Sequence, residues 1–193
     1  MQSIILASTS PRRHQILKES GIKYSFIKPT ADEEKEKKRL KTNNPYKIAC
    51  GLAYVKAASV AHRVKKGIIL GSDTIVALKG KIIGKPRSRK EAYHIIRDLS
   101  RNTHVVVTAV AFIDARTGKT LITYDETFVT FKKLSDAWIR EYVRDNHVMD
   151  KAGAYAVQED SDPYIKSIKG SYYNVVGLPI EKVKAVLKNW DGL

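Results

Sequence analysis

The chain has 193 residues, of which 43% are hydrophobic, and a formal net charge of +15. This length and composition suit one domain with a buried core and argue against a disordered chain. A single cysteine, Cys50, excludes an intrachain disulfide. No apolar run reaches the roughly 18 residues of a membrane span, and no basic leader precedes the first apolar run. We therefore expect a cytoplasmic protein.

The excess of basic residues would suit a nucleic acid, an anionic membrane surface or a small phosphorylated ligand. The lysines and arginines are spread along the chain, with one dense run, KEKKRLK, at 35–41. No helix-turn-helix, zinc-ligand or aromatic RNA-binding pattern accompanies them. We expect a solvated basic surface, no stable complex with nucleic acid and no membrane binding.

In chain order, the hydrophobic pattern first predicts short alternating elements. These are a strand at 4–7, a helix from Pro11 to about Gly21 with Ser10 as its cap, a strand at 24–27, a mobile loop at 29–44 and an amphipathic helix at 45–63. Pro11 suits the first turn of a helix because it lacks an N–H that would go unpaired there. The loop is expected because residues 29–44 are polar and charged.

Residues 67–78 (GIILGSDTIVAL) give the strongest strand pattern, since a nearly continuous apolar run is typical of a strand covered on both faces. The later elements are a hairpin turn at 79–80, a strand at 81–83, a helix at 88–99 with Ser88 and Glu91 as a capping box, strands at 104–113 and 121–131, a helix at 135–143, loop and strand at 150–178, and a helix at 179–187. This order predicts an α/β fold with a mixed sheet, as one domain over 1–193.

The segment Ser10 to Arg13 (SPRR) is the first candidate site. A helix start offers free backbone N–H groups and the positive end of the helix dipole, where anions bind. The guanidinium groups of Arg12 and Arg13 match the geometry of a phosphate. The alternative is a plain helix start with solvated arginines.

Asp73 is the second candidate, because Ser72 and Asp73 interrupt the apolar run of the strand at 67–78, and we interpret Asp73 as the end of its buried part. A carboxylate there is costly unless it is paired, hydrogen-bonded or bound to metal, and ligands collect at strand ends in α/β sheets. The alternative is a surface turn in which Ser72 and Asp73 bond the backbone. Lys85, beside Pro86, could bring a point charge to a phosphate, which is a weak signal by itself.

Two further regions leave their alternatives open. The acidic residues 32–34 could hold Mg²⁺ jointly with substrate phosphates or form a solvated loop. Residues 150–158 (DKAGAYAVQ) and 170–179 (GSYYNVVGLP) could approach a ligand closely or form a packed β-corner. The five histidines lie in no metal-ligand spacing, so we expect them to be structural or solvated, and no pattern indicates a covalent nucleophile.

Together these segments resemble the Maf family of nucleotide pyrophosphatases, the septum-formation-inhibitor-like proteins. The matching stretches, in family order, are LASTSPRR (6–13), LAYVKA (52–57), LGSDTIV (70–76), GKP (84–86), HVVVTAVAF (104–112), DKAGAYAVQ (150–158) and GSYYNVVGLP (170–179). The resemblance implies an elongated α/β fold with a central mixed sheet and a cleft, similar to inosine triphosphate pyrophosphatase. It also implies hydrolysis between the α and β phosphates of a nucleoside triphosphate, and family analogy alone suggests a homodimer.

The resemblance further implies a divalent cation (Mg²⁺, Mn²⁺ or Co²⁺) and a role for each matching residue. Asp73 would be the general base or water-positioning carboxylate. The phosphate-binding positions are matched by Ser8, Arg12, Arg13, Lys56 and Lys85. Asp32 or Glu33 would contact the metal together with Asp73.

Three positions bear on the substrate. Arg12, Thr74 and Gln158 match the family branch that acts on dTTP and UTP rather than the branch that prefers 7-methyl-GTP, and modified pyrimidine triphosphates would then be substrates too. A glutamine amide can donate to and accept from a uracil or thymine edge. Departures from the family pattern at Ala156, 159–160 and 146–147 bear on the base preference. The alternatives are a 7-methyl-GTP pyrophosphatase and a nucleotide-binding regulator of cell division without turnover.

Overall fold

The computed structural model describes residues 3–157 and 163–190, and within them seven strands and seven helices are formed. The strands are β1 (Ile4–Ala7), β2 (Tyr24–Phe26), β3 (Ile68–Leu78), β4 (Lys81–Ile83), β5 (Thr103–Asp114), β6 (Thr120–Phe131) and β7 (Ile165–Lys169). The helices are α1 (Pro11–Glu19), α2 (Glu33–Leu40), α3 (Pro45–Ala61), α4 (Arg89–Leu99), α5 (Asp136–Asp145), α6 (Tyr172–Val176) and α7 (Ile180–Lys188), with a 3₁₀ turn at Ala152–Ala154. None of these helices has the length and apolarity needed to cross a membrane.

All seven strands belong to one sheet, in the order β2-β1-β3-β5-β6-β7, with β4 paired to β3. β1 runs parallel to both β2 and β3, whereas the other neighbours are antiparallel. Parallel neighbours need a crossover, and α1 and the pair α2–α3 supply the two crossovers. The predicted α/β fold with a mixed sheet is confirmed.

The edge of β3 that faces β1 is interrupted in its middle. β5 pairs with β3 over residues 68–77 on one side. On the other side, β1 pairs with residues 68–71 and β4 with residues 76–78. Residues 72–75 therefore have no strand neighbour on that side among the described residues. This gap in the sheet lies at the carboxyl end of β1, where α1 begins.

Helix α3 lies directly on β3. A Cβ atom added at Gly71 would be 2.3 Å from the carbonyl oxygen of Ala53 and 2.7 Å from the amide nitrogen of Ala57. Both neighbours are backbone atoms of α3, so they cannot move aside as a flexible side chain would. The contact fixes how close the next residue of interest on α3, Lys56, comes to the sheet.

Successive residues of β3 point to opposite faces of the sheet. Ile69 and Ile75 pack with α3 in one core cluster. On the other face, Leu70 packs with residues of α1 and α7, and Val76 packs with residues of α4 and α5. By this alternation Asp73 lies on the α3 face, while its neighbours Ser72 and Thr74 lie on the opposite face.

Three sequence predictions about elements are wrong. Residues 33–40 of the predicted mobile loop form α2, whose start is capped by Asp32 and whose charges, acidic in the first turn and basic in the last, suit the helix dipole. Part of the predicted loop and strand at 150–178 is helix α6, capped by Ser171. Asp73 lies inside an 11-residue strand, because β5 continues to pair with β3 beyond it.

Two predicted helix caps differ in detail. Ser10 occupies the cap position of α1 but makes no side-chain hydrogen bond to the helix. Ser88 caps α4 as predicted by accepting a bond from the amide of Glu91. The carboxylate of Glu91 reaches back to the amide of Arg87, however, and not to that of Ser88.

The packing at Gly71 gives a test of the α3–β3 contact. In the Gly71→Ala variant, the new methyl group has to push α3 away from β3, and we expect the free energy of unfolding to fall by about 1–3 kcal/mol or more. Urea unfolding would measure this change. Gly84→Ala is the matched control, since a Cβ there meets no atom within 4 Å. Equal stability of the two variants would contradict the contact.

His104 of β5 is buried in the interior of the protein. Its Nε2 lies 2.6 Å from the hydroxyl of Tyr155, and its ring packs edge-on against Phe131. Its Nδ1 is buried without a hydrogen-bond partner among the described residues. Burial lowers the pKa of His104 from 6.5 to about 4. The ring is therefore neutral at physiological pH, as the structural role expected from the sequence requires.

This pKa predicts a loss of stability in acid. Between pH 6.5 and about 4 the unfolded chain binds a proton at His104 that the folded chain does not bind, so stability falls as the pH falls through that window. The full difference is about 3 kcal/mol. Urea unfolding at pH values across the window should show a smaller loss for His104→Leu than for the unchanged protein. The same pH slope in both would refute the assignment.

Candidate functional site

Lys56 joins two carboxylates at the gap in the sheet. Its Nζ lies 2.5 Å from Oδ1 of Asp73 and 3.0 Å from Oε1 of Glu33. Lys56 and Asp73 are 8% and 7% exposed, while Glu33, in the first turn of α2, is exposed. A buried lysine and a buried carboxylate are each costly alone, so their pairing is what permits both on this face. Three elements, α2, α3 and β3, thus meet at one ammonium group.

Arg13 occupies the opposite face of the same gap. It is buried, and burial lowers its pKa, although the nearby Asp73 opposes that change. Nε donates to the carbonyl of Gly177 at 2.8 Å, Nη1 to Oγ of Ser8 at 3.0 Å, and Nη2 to Oγ1 of Thr74 at 3.3 Å. A guanidinium has five N–H bonds. Three hold α1, β3 and the turn after α6 together, which leaves two for a ligand.

The hydroxyl that Arg13 contacts on Thr74 belongs to a directed chain of hydrogen bonds. Thr108 donates its only hydroxyl proton to the carbonyl of Asn174 at 2.7 Å. The 3.0 Å contact between the hydroxyls of Thr74 and Thr108 therefore requires Thr74 to be the donor. The oxygen of Thr74 is then turned to accept from Arg13. Thr108 thus determines that the hydroxyl of Thr74, which positions Arg13, donates to Thr108 and accepts from Arg13.

Asn174 lies in the core and is the last member of this hydrogen-bond network. Its side chain is fully buried, and it donates to the carbonyl of Val106 and to the hydroxyl of Thr127, at 2.9 and 3.0 Å. Its Oδ1 accepts from the amide of Thr108 at 3.1 Å. All the capacity of the amide nitrogen is used, so Asn174 ties the short helix α6 to the sheet. Gly177, which follows that helix, is held at the site by the same anchoring.

The structure brings some of the predicted site residues together and leaves others apart. Ser8, Arg13, Lys56, Asp73, Thr74 and Glu33 surround the gap. Arg12 is partly exposed and pairs with Asp150 at 3.9 Å, so the SPRR and DKAGAY segments meet. Lys85 is exposed after β4, next to Gly84, whose carbonyl accepts from Gly153. Gln158 lies outside the described residues.

The carboxylates fit a metal ion only in part. Within residues 3–157 and 163–190, no group of three or more side chains of the ligand types clusters as a metal site. Glu33 and Asp73 nevertheless converge on one ammonium group, so their oxygens lie close together. Mg²⁺ is commonly bound by one or two carboxylates with substrate phosphates and water. Asp32 is not part of this pair, because its carboxylate caps α2 by accepting from Lys35.

Three residues of the site were missed by the sequence reasoning. Ser72 donates to the carbonyl of Gly177 at 3.2 Å, alongside Arg13. Thr108 and Asn174 form the network behind Thr74. Thr108 carried a signal, since a hydroxyl inside the apolar run HVVVTAVAF has to find a partner when buried. Its partner could not be read from the sequence, because 66 positions separate it from Asn174.

The fold and the site define an α/β protein with a polar centre at the carboxyl end of a parallel strand, where a helix also begins. This is the place at which open α/β sheets bind ligands. The family model described as Maf-like protein matches residues 3–190. The chain belongs to the Maf family.

Several named relatives align over almost the whole chain. A protein of Alkaliphilus metalliredigens named dTTP/UTP pyrophosphatase is 43% identical over 97% of this chain and 95% of its own length. Proteins with the same name from Desulforamulus reducens and Ruminiclostridium cellulolyticum are 42% and 38% identical, each over 97% of this chain and 96% of the relative. The resemblance drawn from the motifs is thereby confirmed.

The directed chain through Thr108 can be tested by stability. Thr108→Val leaves the donor of Thr74 and the carbonyl of Asn174 unpaired in the interior, and we expect a loss of about 2–3 kcal/mol of unfolding free energy. Thr108→Ser keeps the hydroxyl and should lose less than half of that. Thr103→Val on the exposed start of β5 is the matched control. A loss in Thr103→Val as large as that in Thr108→Val would contradict the network.

Proposed function

We propose that this chain hydrolyses dTTP and UTP to the nucleoside monophosphate and pyrophosphate, with the reaction carried out at the gap in the sheet. The observation that carries the proposal is the buried Lys56 of α3, held between Asp73 and Glu33 at the gap in the sheet. A regulator that only bound nucleotides would have no need to keep a buried carboxylate and a buried ammonium together. The three named relatives support the same activity.

Asp73 is the group that we assign to the attacking water. Lys56 contacts Oδ1 of its carboxylate, so Oδ2 is the oxygen left to accept a proton from a water or to orient it. The ammonium group of Lys56 also fixes the direction of the carboxylate, because α3 cannot move relative to β3 at Gly71. No covalent intermediate is needed for this reaction.

The phosphates are assigned to the cations around the same gap. A triphosphate carries about four negative charges, and charge that develops on its oxygens in the transition state is stabilised by fixed donors. Arg13 offers its two remaining N–H bonds, and the start of α1 adds the positive end of the helix dipole. We assign Arg12, which is partly exposed, and Lys85, which is exposed, to the outer phosphates.

A divalent cation is part of the proposal. Glu33 and Asp73 would hold it, jointly with oxygens of the substrate phosphates. When bound, such an ion neutralises phosphate charge and polarises the bond that is cleaved.

The base preference rests on Arg12, Thr74 and Gln158. The hydroxyl of Thr74 accepts one hydrogen bond from Arg13 and donates one to Thr108. One lone pair of its oxygen therefore remains. Thr74 therefore acts on the substrate mainly through Arg13. Gln158 is the residue that we propose to read the pyrimidine edge.

Asp73→Asn is the decisive variant. It should abolish release of pyrophosphate from UTP and dTTP, with a loss of at least about a hundredfold in kcat, because an amide cannot accept the proton of the water. The fold should survive, since Lys56 keeps its contact with Glu33. Thermal unfolding checks this point, and Asp136→Asn, on the exposed start of α5, is the matched control. Undiminished turnover in a folded Asp73→Asn protein would remove Asp73 from the mechanism.

A panel of triphosphates tests the substrate. Purified protein with Mg²⁺ or Mn²⁺ should release pyrophosphate from UTP and dTTP faster than from ATP, GTP or 7-methyl-GTP. Turnover confined to 7-methyl-GTP would overturn the preference inferred from Arg12, Thr74 and Gln158. Binding of all these nucleotides without release of pyrophosphate would favour the regulator instead.

A further inference from the structure

A second cationic site is formed between α4 and α5, away from the gap in the sheet. A cavity of about 490 Å³ opens there, within the size range of small-molecule pockets. It is lined by Arg89, Lys90, Tyr93 and His94 of α4 and by Arg140, Val143 and Arg144 of α5. None of these seven residues is acidic, and four carry a full positive charge. We refer to this cavity as the α4–α5 pocket.

The positive charge of the pocket is only partly neutralised. Arg144 is paired with Asp145, with both guanidinium contacts at 2.7 and 2.9 Å. No carboxylate of the described residues lies within ion-pair distance of Arg89, Lys90 or Arg140. Three cations held close together repel one another, and that repulsion is relieved when an anion binds among them.

The cations that line the pocket are exposed, and some of them are held by contacts between α4 and α5. Arg89 donates from Nη1 to the carbonyl of Arg144 at 3.1 Å, which joins the start of α4 to the end of α5. The guanidinium of Arg140 lies over the ring of Tyr93, 5.2 Å from its centre. Val143 is buried in the core beneath the pocket. These contacts restrict Arg89 and Arg140 before any ligand arrives, which lowers the entropic cost of binding.

The position of the cations on α4 adds to the argument. Arg89 and Lys90 stand in the first turn of the helix, where the helix dipole is positive and cations are unfavourable. Glu91 is the only acidic residue of that turn, and its carboxylate is used by the amide of Arg87. An anion seated beside Arg89 and Lys90 would offset both the dipole and the repulsion.

We propose that the α4–α5 pocket binds a polyphosphate anion, such as inorganic pyrophosphate or the phosphates of a nucleotide, as a site separate from the one that cleaves the substrate. The size of the pocket suits two or three phosphate groups, and its guanidinium groups match their geometry. A long nucleic-acid strand is less well suited, because the cations surround one cavity and do not extend along a groove. The sequence could not reveal the pocket, since α4 and α5 are separated by two strands.

The test is a calorimetric titration of the metal-free protein with inorganic pyrophosphate. Lys90→Gln combined with Arg140→Gln should remove one binding event, or weaken it about tenfold or more, while a second event at the gap in the sheet remains. Lys184→Gln with Lys188→Gln, on exposed positions of α7, removes the same charge elsewhere and should bind as the unchanged protein does. Thermal unfolding of all three proteins checks that each is folded.

Each outcome decides the proposal. Unchanged binding in the α4–α5 variant, or an equal loss in the α7 control, would overturn it. Parallel titrations with UMP, a non-hydrolysable UTP analogue and pyrophosphate distinguish a nucleotide from the free anion as the source of the phosphates. Tighter binding of a single-stranded RNA that depends on Lys90 and Arg140 would replace the small anion by a nucleic acid and also overturn the proposal. Turnover of UTP at low pyrophosphate should be unchanged in the α4–α5 variant, so the two sites are tested independently.

Discussion

At Gly71 the backbone of β3 lies against the backbone of α3 with no room for a single methyl group. The position of Lys56 follows from that contact, since it stands on the same turn of α3 as Ala57. Its ammonium group is then brought to 2.5 Å from Asp73. A buried ion pair is stable only when its geometry is good, because two charges have left water to form it. The close packing of helix on strand supplies that geometry, and the arrangement of the candidate site depends on it.

The gap in the sheet explains why residues from both faces can act on one substrate. Adjacent residues of β3 point to opposite faces, so Asp73 and Thr74 would be separated by a continuous sheet. Among the described residues, no strand lies beside β3 between its pairing with β1 and its pairing with β4, so side chains from the two faces can approach each other there. Arg13 on one side therefore lies near enough to Asp73 on the other for the carboxylate to influence its pKa. Phosphate binding and water activation can thus share one opening.

Arg13 stabilises the structure of the site and also has N–H bonds left for a ligand. Three of its N–H bonds are committed to Ser8, Thr74 and Gly177, and the bond to Thr74 is oriented through Thr108 and Asn174. The guanidinium is consequently fixed before a substrate binds. Fixed donors need no reorganisation during a reaction, and this advantage offsets the free-energy cost of removing the arginine from water.

The fold brings together positive charges that are spread along the sequence. The dense run at 35–41 lies on α2, where pairs such as Glu36 with Arg39 neutralise part of it. Four cations of α4 and α5 line one pocket, and within the described part of the chain only Arg144 among them pairs with a carboxylate. The basic surface expected from the sequence therefore includes a pocket lined by cations.

The sequence by itself determined the α/β class, most strands and helices, and most residues of the candidate site. Hydrophobic runs and helix starts are local patterns, and motifs such as SPRR and LGSDTIV carry their chemistry in a few adjacent residues. The predictions failed where stability came from elsewhere. α2 was missed because a charged helix is stabilised by its cap and dipole rather than by an apolar stripe, and α6 because a five-residue helix depends on Asn174 being anchored in the core.

Only the tertiary structure decided how these parts combine. It showed that Asp73 lies within β3 rather than at its end, because β5 continues alongside. It also showed that Glu33 shares Lys56 with Asp73, that Thr108 orients Thr74, and that α4 and α5 enclose a cationic pocket. Each of these facts joins residues that are distant in the chain, and distances across a fold are set by packing, which no local pattern of residues records.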